Sequence, residues 1–252
     1  MPGVMKAEPA PQALLREWRD ADPSVQAATL AAAIAANLGA ALVRRAGASL
    51  VLSGGRSPTL MFAHLAHHKL DWSRVQITLA DERWVETEDP ASNEGLLRAT
   101  LLRGMAVQAR FLGLKNAAPA PASGAAQAWG AISAMPRPFD VVVLGMGDDG
   151  HTASLFPGSA GLAAALEEDA APGCLEMRSP VAPHARLSLN LAALLDSRHI
   201  YVQIRGAQKW QVYQRARAEG EVAELPIRAI FRQRRVPVDV FWCVDAAADA
   251  AS

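Results

Sequence analysis

Apolar runs of four to six residues alternate along the chain with longer stretches in which apolar positions recur every three or four residues, the pattern of strands and helices taken in turn. Val141 to Leu144 is β-branched and apolar without polar alternation, which predicts a central parallel strand covered on both faces. Ala48 to Leu52, Val75 to Ala80, His199 to Ile204 and Val238 to Val244 predict further strands, Cys174 to Ser179 another, and Phe111-Leu112 an edge strand. Pro183 to Asn190 alternates apolar and polar residues in one more short strand.

The helical stretches carry their own start and stop signals. Asp22-Pro23 supplies a cap and a favourable first position, Leu30, Ile34, Leu38 and Leu42 repeat along one core-facing side, and Arg44, Arg45 and Gly47 suit the end. Ser57 as N-cap with Pro58 next predicts a helix to about His68, and Ser92 caps one running to about Leu102. Others end near Met135, Glu168 and Asp196, and one opens at Gly206 and holds Trp210 and Tyr213. Residues 1–11 read as a loose tail and residues 117–126 as a surface connection. No linker breaks the alternation, so residues 12–252 are expected to form a single α/β domain, with a mostly parallel sheet and helices on both faces.

Composition narrows the partners. Lys plus Arg and Asp plus Glu both number 25 in 252 residues, so the balance points to neither nucleic acid nor a membrane surface, and a small anionic substrate would need a local cluster of cations. Arg232 to Arg235 lack aromatic interleaving and read as a solvated turn. Ala27 to Val43 comes nearest to a membrane span, but its alanines and Asn37 favour a core helix. Met1 to Pro11 shows no basic segment followed by an apolar one, and Cys174 and Cys243 have no metal-binding spacing; a cytoplasmic chain with two buried thiols is expected. His64, His67 and His68 have helical spacing but no carboxylate in the same turn, so no metal is expected there.

Candidate chemistry gathers at strand ends. After Leu144 come Gly145, Gly147 and Gly150, with Asp148, Asp149 and His151 among and after them. A histidine beside a carboxylate can have its tautomer fixed and its basicity tuned for general-base work; a purely structural histidine in a turn is the alternative. The same glycines match G-x-G-x-x-G, but two aspartates would repel a pyrophosphate, and no dinucleotide or other cofactor is expected. Ser53-Gly54-Gly55-Arg56-Ser57 between strand and helix has the makings of an anion site, with a plain βα turn as the alternative. Asp81-Glu82-Arg83 belong to a salt-bridged loop or an active-site rim, and Lys209 opposes the dipole of its helix unless an anion sits there.

Taken together, Ser53-Gly-Gly, Asp81-Glu-Arg-Trp-Val85, Ser92-Asn93, Gly145 to Gly158, Arg186 and Gly206-Ala-Gln-Lys209 resemble the 6-phosphogluconolactonase family, within a group that includes glucosamine-6-phosphate deaminases. The resemblance implies a modified Rossmann-like fold and hydrolysis of a phosphosugar lactone, 6-phosphoglucono-δ-lactone, without metal or cofactor, by a monomer or weak homodimer. It implies His151 as general base, Asp149 orienting it and Arg83 steadying the oxyanion or sugar hydroxyls. Ser53, Gly54, Gly55, Arg56, Asp81, Asn93, Arg186 and Lys209 are implied in substrate and phosphate binding. The deaminases that resemble this chain continue to Asn-Glu-Pro, where Leu155-Phe156-Pro157 stands here, which favours the lactonase. A deaminase or isomerase and a non-catalytic sugar-phosphate sensor remain the alternatives on the same architecture.

Overall fold

The computed structural model describes residues 15–180 and 183–244; the tail assigned to residues 1–11 lies outside them. The strands are β1 (Leu15–Asp20), β2 (Ala48–Leu52), β3 (Val75–Leu79), β4 (Asp81–Arg83), β5 (Arg110–Leu112), β6 (Val141–Gly145), β7 (Cys174–Arg178), β8 (Ala185–Leu189), β9 (Ile200–Arg205) and β10 (Val238–Cys243). The α-helices are α1 (Pro23–Arg44), α2 (Thr59–Leu65), α3 (Asn93–Thr100), α4 (Pro121–Ser133), α5 (Leu162–Ala165), α6 (Leu191–Leu195), α7 (Ala207–Arg217) and α8 (Ile227–Arg232).

Seven strands form one sheet in the order β1-β10-β9-β6-β2-β3-β5, and every neighbouring pair is parallel. The apolar runs of β2, β6 and β9 are buried residue after residue, as strands covered on both faces must be. The chain builds outward from β2 through β3 to β5, returns to β6 beside β2, and builds the other way through β9 and β10. Sequence order therefore reverses between β2 and β6, and the loops leaving that pair open a crevice at the carboxyl ends of the strands.

α1 is long and apolar enough to span a membrane by composition alone, but Leu30, Ile34 and Leu38 are wholly buried in the core. Asp22 caps it by accepting from the amides of Ser24 and Val25, and Asn37 donates to the Tyr201 hydroxyl at 2.7 Å. At the amino ends of the strands Asp140 ties β6 to β2. Its carboxylate accepts the Ser49 amide at 2.9 Å and pairs with Arg45, with Arg198 3.6 Å away.

Several expectations are corrected. β1 was not visible in Leu-Arg-Glu-Trp-Arg-Asp, which has no alternation; its pairing with β10 along six residues makes it a strand. Asp81 to Arg83 are not loop but a strand of a second, antiparallel sheet, ordered β4-β8-β7. The connection expected over residues 117–126 gives way at Pro121, whose fixed φ suits the first turn of α4. α2 ends at Leu65, so His67 and His68 lie beyond it and share no helical face with His64. Pro58, already in α geometry, takes the cap position expected of Ser57, and no side chain caps that helix. Cys243 is buried, whereas Cys174 is only partly so, and burial pushes its thiol up to about 12.

Replacing Asp140 with alanine strands the buried Ser49 amide and two guanidinium groups. It is expected to cost about 2–4 kcal/mol, at the lower end because Arg45 and Arg198 keep contact with solvent. Urea unfolding should show this as a lower midpoint with an unchanged slope.

Candidate active site

The crevice predicted by the strand order is a cleft of about 550 Å³. Its lining comes from the loop after β2, the strand β4, the loop after β6, the residue Arg186 on β8 and the end of β9 with Lys209. Ten of the residues named from sequence line it: Ser53, Gly54, Gly55, Arg56, Asp81, Arg83, Asn93, His151, Arg186 and Lys209. Asp149 stands outside the lining and holds His151.

The His151 loop is shaped by its own hydrogen bonds. The Gly147 amide donates to the His151 carbonyl at 2.9 Å, Gly150 to Gly147 at 3.0 Å, and the Thr152 hydroxyl to the Gly145 carbonyl at 3.0 Å. Gly150 holds a φ of 74° against Leu225, a conformation and a contact that favour glycine. His151 Nδ1 lies 2.5 Å from Asp149 Oδ1, and the His151 amide donates to the same oxygen at 3.1 Å. Burial raises the Asp149 carboxyl, but the hydrogen bonds and charge of His151 outweigh it and hold the group below its usual range. An ionised carboxylate only accepts, so Nδ1 carries a proton, and in the neutral imidazole Nε2 is then the acceptor. The loop opens no helix, since Leu162 is the next helical residue, and the G-x-G-x-x-G match lacks the context a dinucleotide site needs.

Across the cleft the period of two along β4 separates its three charges. Asp81 and Arg83 face the lining, while the Glu82 carboxylate is buried and accepts the amides of Arg83, Asn93 and Glu94 at 2.7, 2.8 and 2.7 Å. Glu82 thus holds the start of α3, and its carboxyl is raised by burial despite those amides. Asn93 commits its amide to the Asp81 carbonyl at 2.8 Å, and its Oδ1 is so close to Gly54 that a Cβ there would lie 2.0 Å from it.

Cations outnumber anions in the lining. Arg56, Arg83, Arg186, Arg205 and Lys209 face one carboxylate, Asp81, which accepts from the Ser154 hydroxyl and lies 3.8 Å from Arg186. Arg83 and Arg186 are directly opposite in the β4–β8 register, a like-charge pairing that costs stability unless an anion compensates it. Burial lowers the Arg186 pKa, with Asp81 opposing and Arg83 adding to the effect. Lys209 is likewise lowered by burial, with Asp148 and Asp149 opposing and Arg56 adding, which places Lys209 in reach of both the glycine turn and the histidine loop. The Ser53 hydroxyl is buried without a hydrogen-bond partner among the described residues.

Sequence reasoning missed Gln203 and Arg205, both in the lining. Gln203 was the polar residue inside an otherwise apolar strand, and Arg205 closes that strand at its carboxyl end; both were signals of a ligand-facing position. It also missed Ala153, a non-glycine residue at a φ of 47°, a strained conformation at the cleft wall.

A family model described as glucosamine-6-phosphate isomerases/6-phosphogluconolactonase matches residues 21–242. The chain is 44% identical over 223 residues to a 6-phosphogluconolactonase of Pseudomonas putida, covering 88% of this chain and 90% of that one. It is 42% identical over 228 residues to a 6-phosphogluconolactonase of Pseudomonas aeruginosa, covering 90% and 94%. Among solved structures, a 6-phosphogluconolactonase from Shewanella baltica superposes with a TM-score of 0.87 at 46% identity, over 92% of this chain and 98% of that one. A monomeric glucosamine-6-phosphate deaminase shares the fold alone, with a TM-score of 0.74 at 15% identity over 92% and 99%.

A Cβ at Gly147 would lie 2.1 Å from His151 Nδ1 and 2.6 Å from Asp149 Oδ1. Gly147→Ala is therefore expected to break the pair while leaving the sheets intact. Long-range proton–nitrogen spectra should report the Nδ1-protonated tautomer in the parent protein and a mixture of tautomers in the variant.

Proposed function

The chain belongs to the glucosamine-6-phosphate isomerase/6-phosphogluconolactonase family and to its lactonase branch, and on that premise we propose that it hydrolyses 6-phosphoglucono-δ-lactone to 6-phosphogluconate with His151 as general base. The observation that carries the proposal is the Asp149–His151 pair at the mouth of a cleft in which cations exceed carboxylates. A lactone is an activated ester, so a positioned water and a base suffice, without a covalent intermediate. His151 Nε2 takes a proton from water as its oxygen bonds to the lactone carbonyl carbon. The tetrahedral intermediate collapses with cleavage of the bond to the ring oxygen, which receives the proton back from the imidazolium; Asp149 stabilises that cation while it lasts.

Arg83, on the cleft face of β4, is assigned to the developing oxyanion or the sugar hydroxyls, a role in which loss of a donor costs ~10²–10³ in turnover. The turn from Ser53 to Arg56, with Arg186 and Lys209, is assigned to the 6-phosphate. The unpartnered Ser53 hydroxyl and the opposed arginines support that reading, because a dianion satisfies both. Binding remote from the carbonyl positions the lactone for attack. Asp81 and Asn93 frame the sugar between these ends. Two cysteines without metal-binding spacing suit the reducing compartment proposed for the chain.

Hydrolysis of freshly generated lactone, coupled to 6-phosphogluconate dehydrogenase and corrected for the spontaneous rate, tests the reaction. His151→Ala should lower kcat by roughly 10²–10⁴ while retaining product binding; wild-type turnover in that variant would remove His151 as the base. Absence of acceleration by the wild-type protein would remove the lactonase reaction itself. Arg186→Ala and Lys209→Ala should each raise KM by roughly 10- to 100-fold, more than they lower kcat. An unchanged KM would take them out of the phosphate site.

The lowered Lys209 pKa adds a pH dependence. The ammonium form binds phosphate, so affinity is full at neutral pH and falls as pH rises through a value below the ordinary lysine range. Calorimetric titration with 6-phosphogluconate should show this alkaline weakening in the wild type and its absence in Lys209→Arg, whose guanidinium stays charged.

A further inference from the structure

Behind the cleft, outside its lining, the Phe156 ring is 4% exposed and touches two of the groups assigned above. Its centroid lies 4.3 Å from that of His151, with the planes inclined by 35°, and the Arg186 guanidinium carbon sits 4.9 Å from the same centroid. Resting on the reaction and residue roles proposed above, we propose that Phe156 is a positioning residue, holding the base and the phosphate-binding guanidinium in their working orientations from behind.

The hydrogen-bonding inventory shows why a ring is needed there. Among the described residues His151 has one side-chain hydrogen bond, from Nδ1 to Asp149, and a single hydrogen bond at a ring edge leaves the plane free to turn about it. A face contact removes that freedom and fixes where Nε2 points. Arg186 is held still more loosely: its Nε has no hydrogen-bond partner among the described residues, and its nearest carboxylate, on Asp81, is 3.8 Å away. Opposite stands Arg83, which repels it. A guanidinium resting on an aromatic face keeps its plane and directs its N–H edge sideways, which leaves that edge available to an anion. A carboxylate in place of the ring would pair with Arg186 and consume it.

Phe156 is itself held firmly. The Leu155 amide donates to the Thr152 carbonyl at 2.9 Å, closing a turn around the strained Ala153. The Ser154 amide donates to the Ser188 hydroxyl at 3.2 Å, and its own hydroxyl donates to Asp81. The turn is thereby bonded to β4 and β8, the strands that carry Arg83 and Arg186. The base stands on the loop after β6 and the arginine on β8 of the other sheet, and Phe156 is an apolar contact they share.

The test compares Phe156→Met, which keeps volume without a flat face, with Phe156→Tyr, which restores the ring. Turnover of the lactone is measured alongside calorimetric binding of 6-phosphogluconate and of inorganic phosphate. Phe156→Met should lower kcat and weaken 6-phosphogluconate binding by about tenfold each, and Phe156→Tyr should recover both. Added to His151→Ala it should leave the residual kcat unchanged, and added to Arg186→Ala it should not weaken binding further. A fall in melting temperature alone, with kcat and affinity intact, would overturn the positioning role, as would losses that simply multiply in the double variants. Should the wild-type protein not accelerate lactone hydrolysis, the assigned reaction would fall, whereas the Phe156–Arg186 cycle on phosphate binding, which needs no turnover, would still decide the stacking. Phe156→Leu provides the same readings if the methionine variant does not fold.

Discussion

The peptide of Ala80 joins the two sheets, and the geometry of the cleft depends on it. Its amide donates to the Leu52 carbonyl at 2.8 Å, continuing the ladder of the parallel sheet, and its carbonyl accepts the Leu189 amide at 2.9 Å, beginning the antiparallel one. Ala80 is fully buried where the chain changes sheets within a single residue, and its side chain adds only a methyl group there. From there β4 diverges from the parallel strands and carries Asp81 and Arg83 across the crevice left by the reversal between β2 and β6. The cleft is thus bounded by one wall for each sheet, and buried main-chain hydrogen bonds, costly to leave unmade, set their separation.

That construction explains how so many cations tolerate one another. Two arginines of the cleft, Arg83 and Arg186, are anchored through strand register and through uncharged contacts. Arg83 donates from its guanidinium Nη1 to the Ala91 carbonyl at 2.5 Å, a bond that fixes the head group through a neutral acceptor, and Arg186 rests on Phe156. Glu82, the carboxylate best placed to cancel them, is turned to the opposite side of β4 and spent on the start of α3. Folding therefore carries an electrostatic cost at this spot. The dianionic ligand proposed for the cleft would remove it and so couple binding to stability.

Most of the parallel sheet was legible in the sequence because strands buried on both faces announce themselves as apolar runs, and because Asp22-Pro23 and Ser92 are strong caps whose hydrogen bonds form as expected. What escaped depends on partners distant in sequence. β1 is a strand only because β10 lies beside it, and β4 looked like loop because a three-residue strand has too few positions to show a period. The histidine loop was readable, since glycine, aspartate and histidine are packed into a few consecutive positions. Gln203 and Arg205 gave only a weak signal, a polar residue in an apolar run and a charge at its end, which becomes specific with the strand order that places β9 beside β6.

The same reasoning bears on why the histidine loop needs glycine where it does. A base that must present Nε2 to a cleft needs its other nitrogen and its acidic partner packed behind it, inside the loop that carries them. The space for that pair is the space a Cβ on residue 147 would occupy. The loop is therefore held by hydrogen bonds of its own together with contacts to its surroundings. Gly150 gives its carbonyl to the amide of Ile227 at 2.9 Å, Thr152 returns to Gly145, and Ser154 reaches the second sheet. Rigidity at the proposed base is thus borrowed from both walls of the cleft, and the residues most exacting for the chemistry are those with no side chain in it.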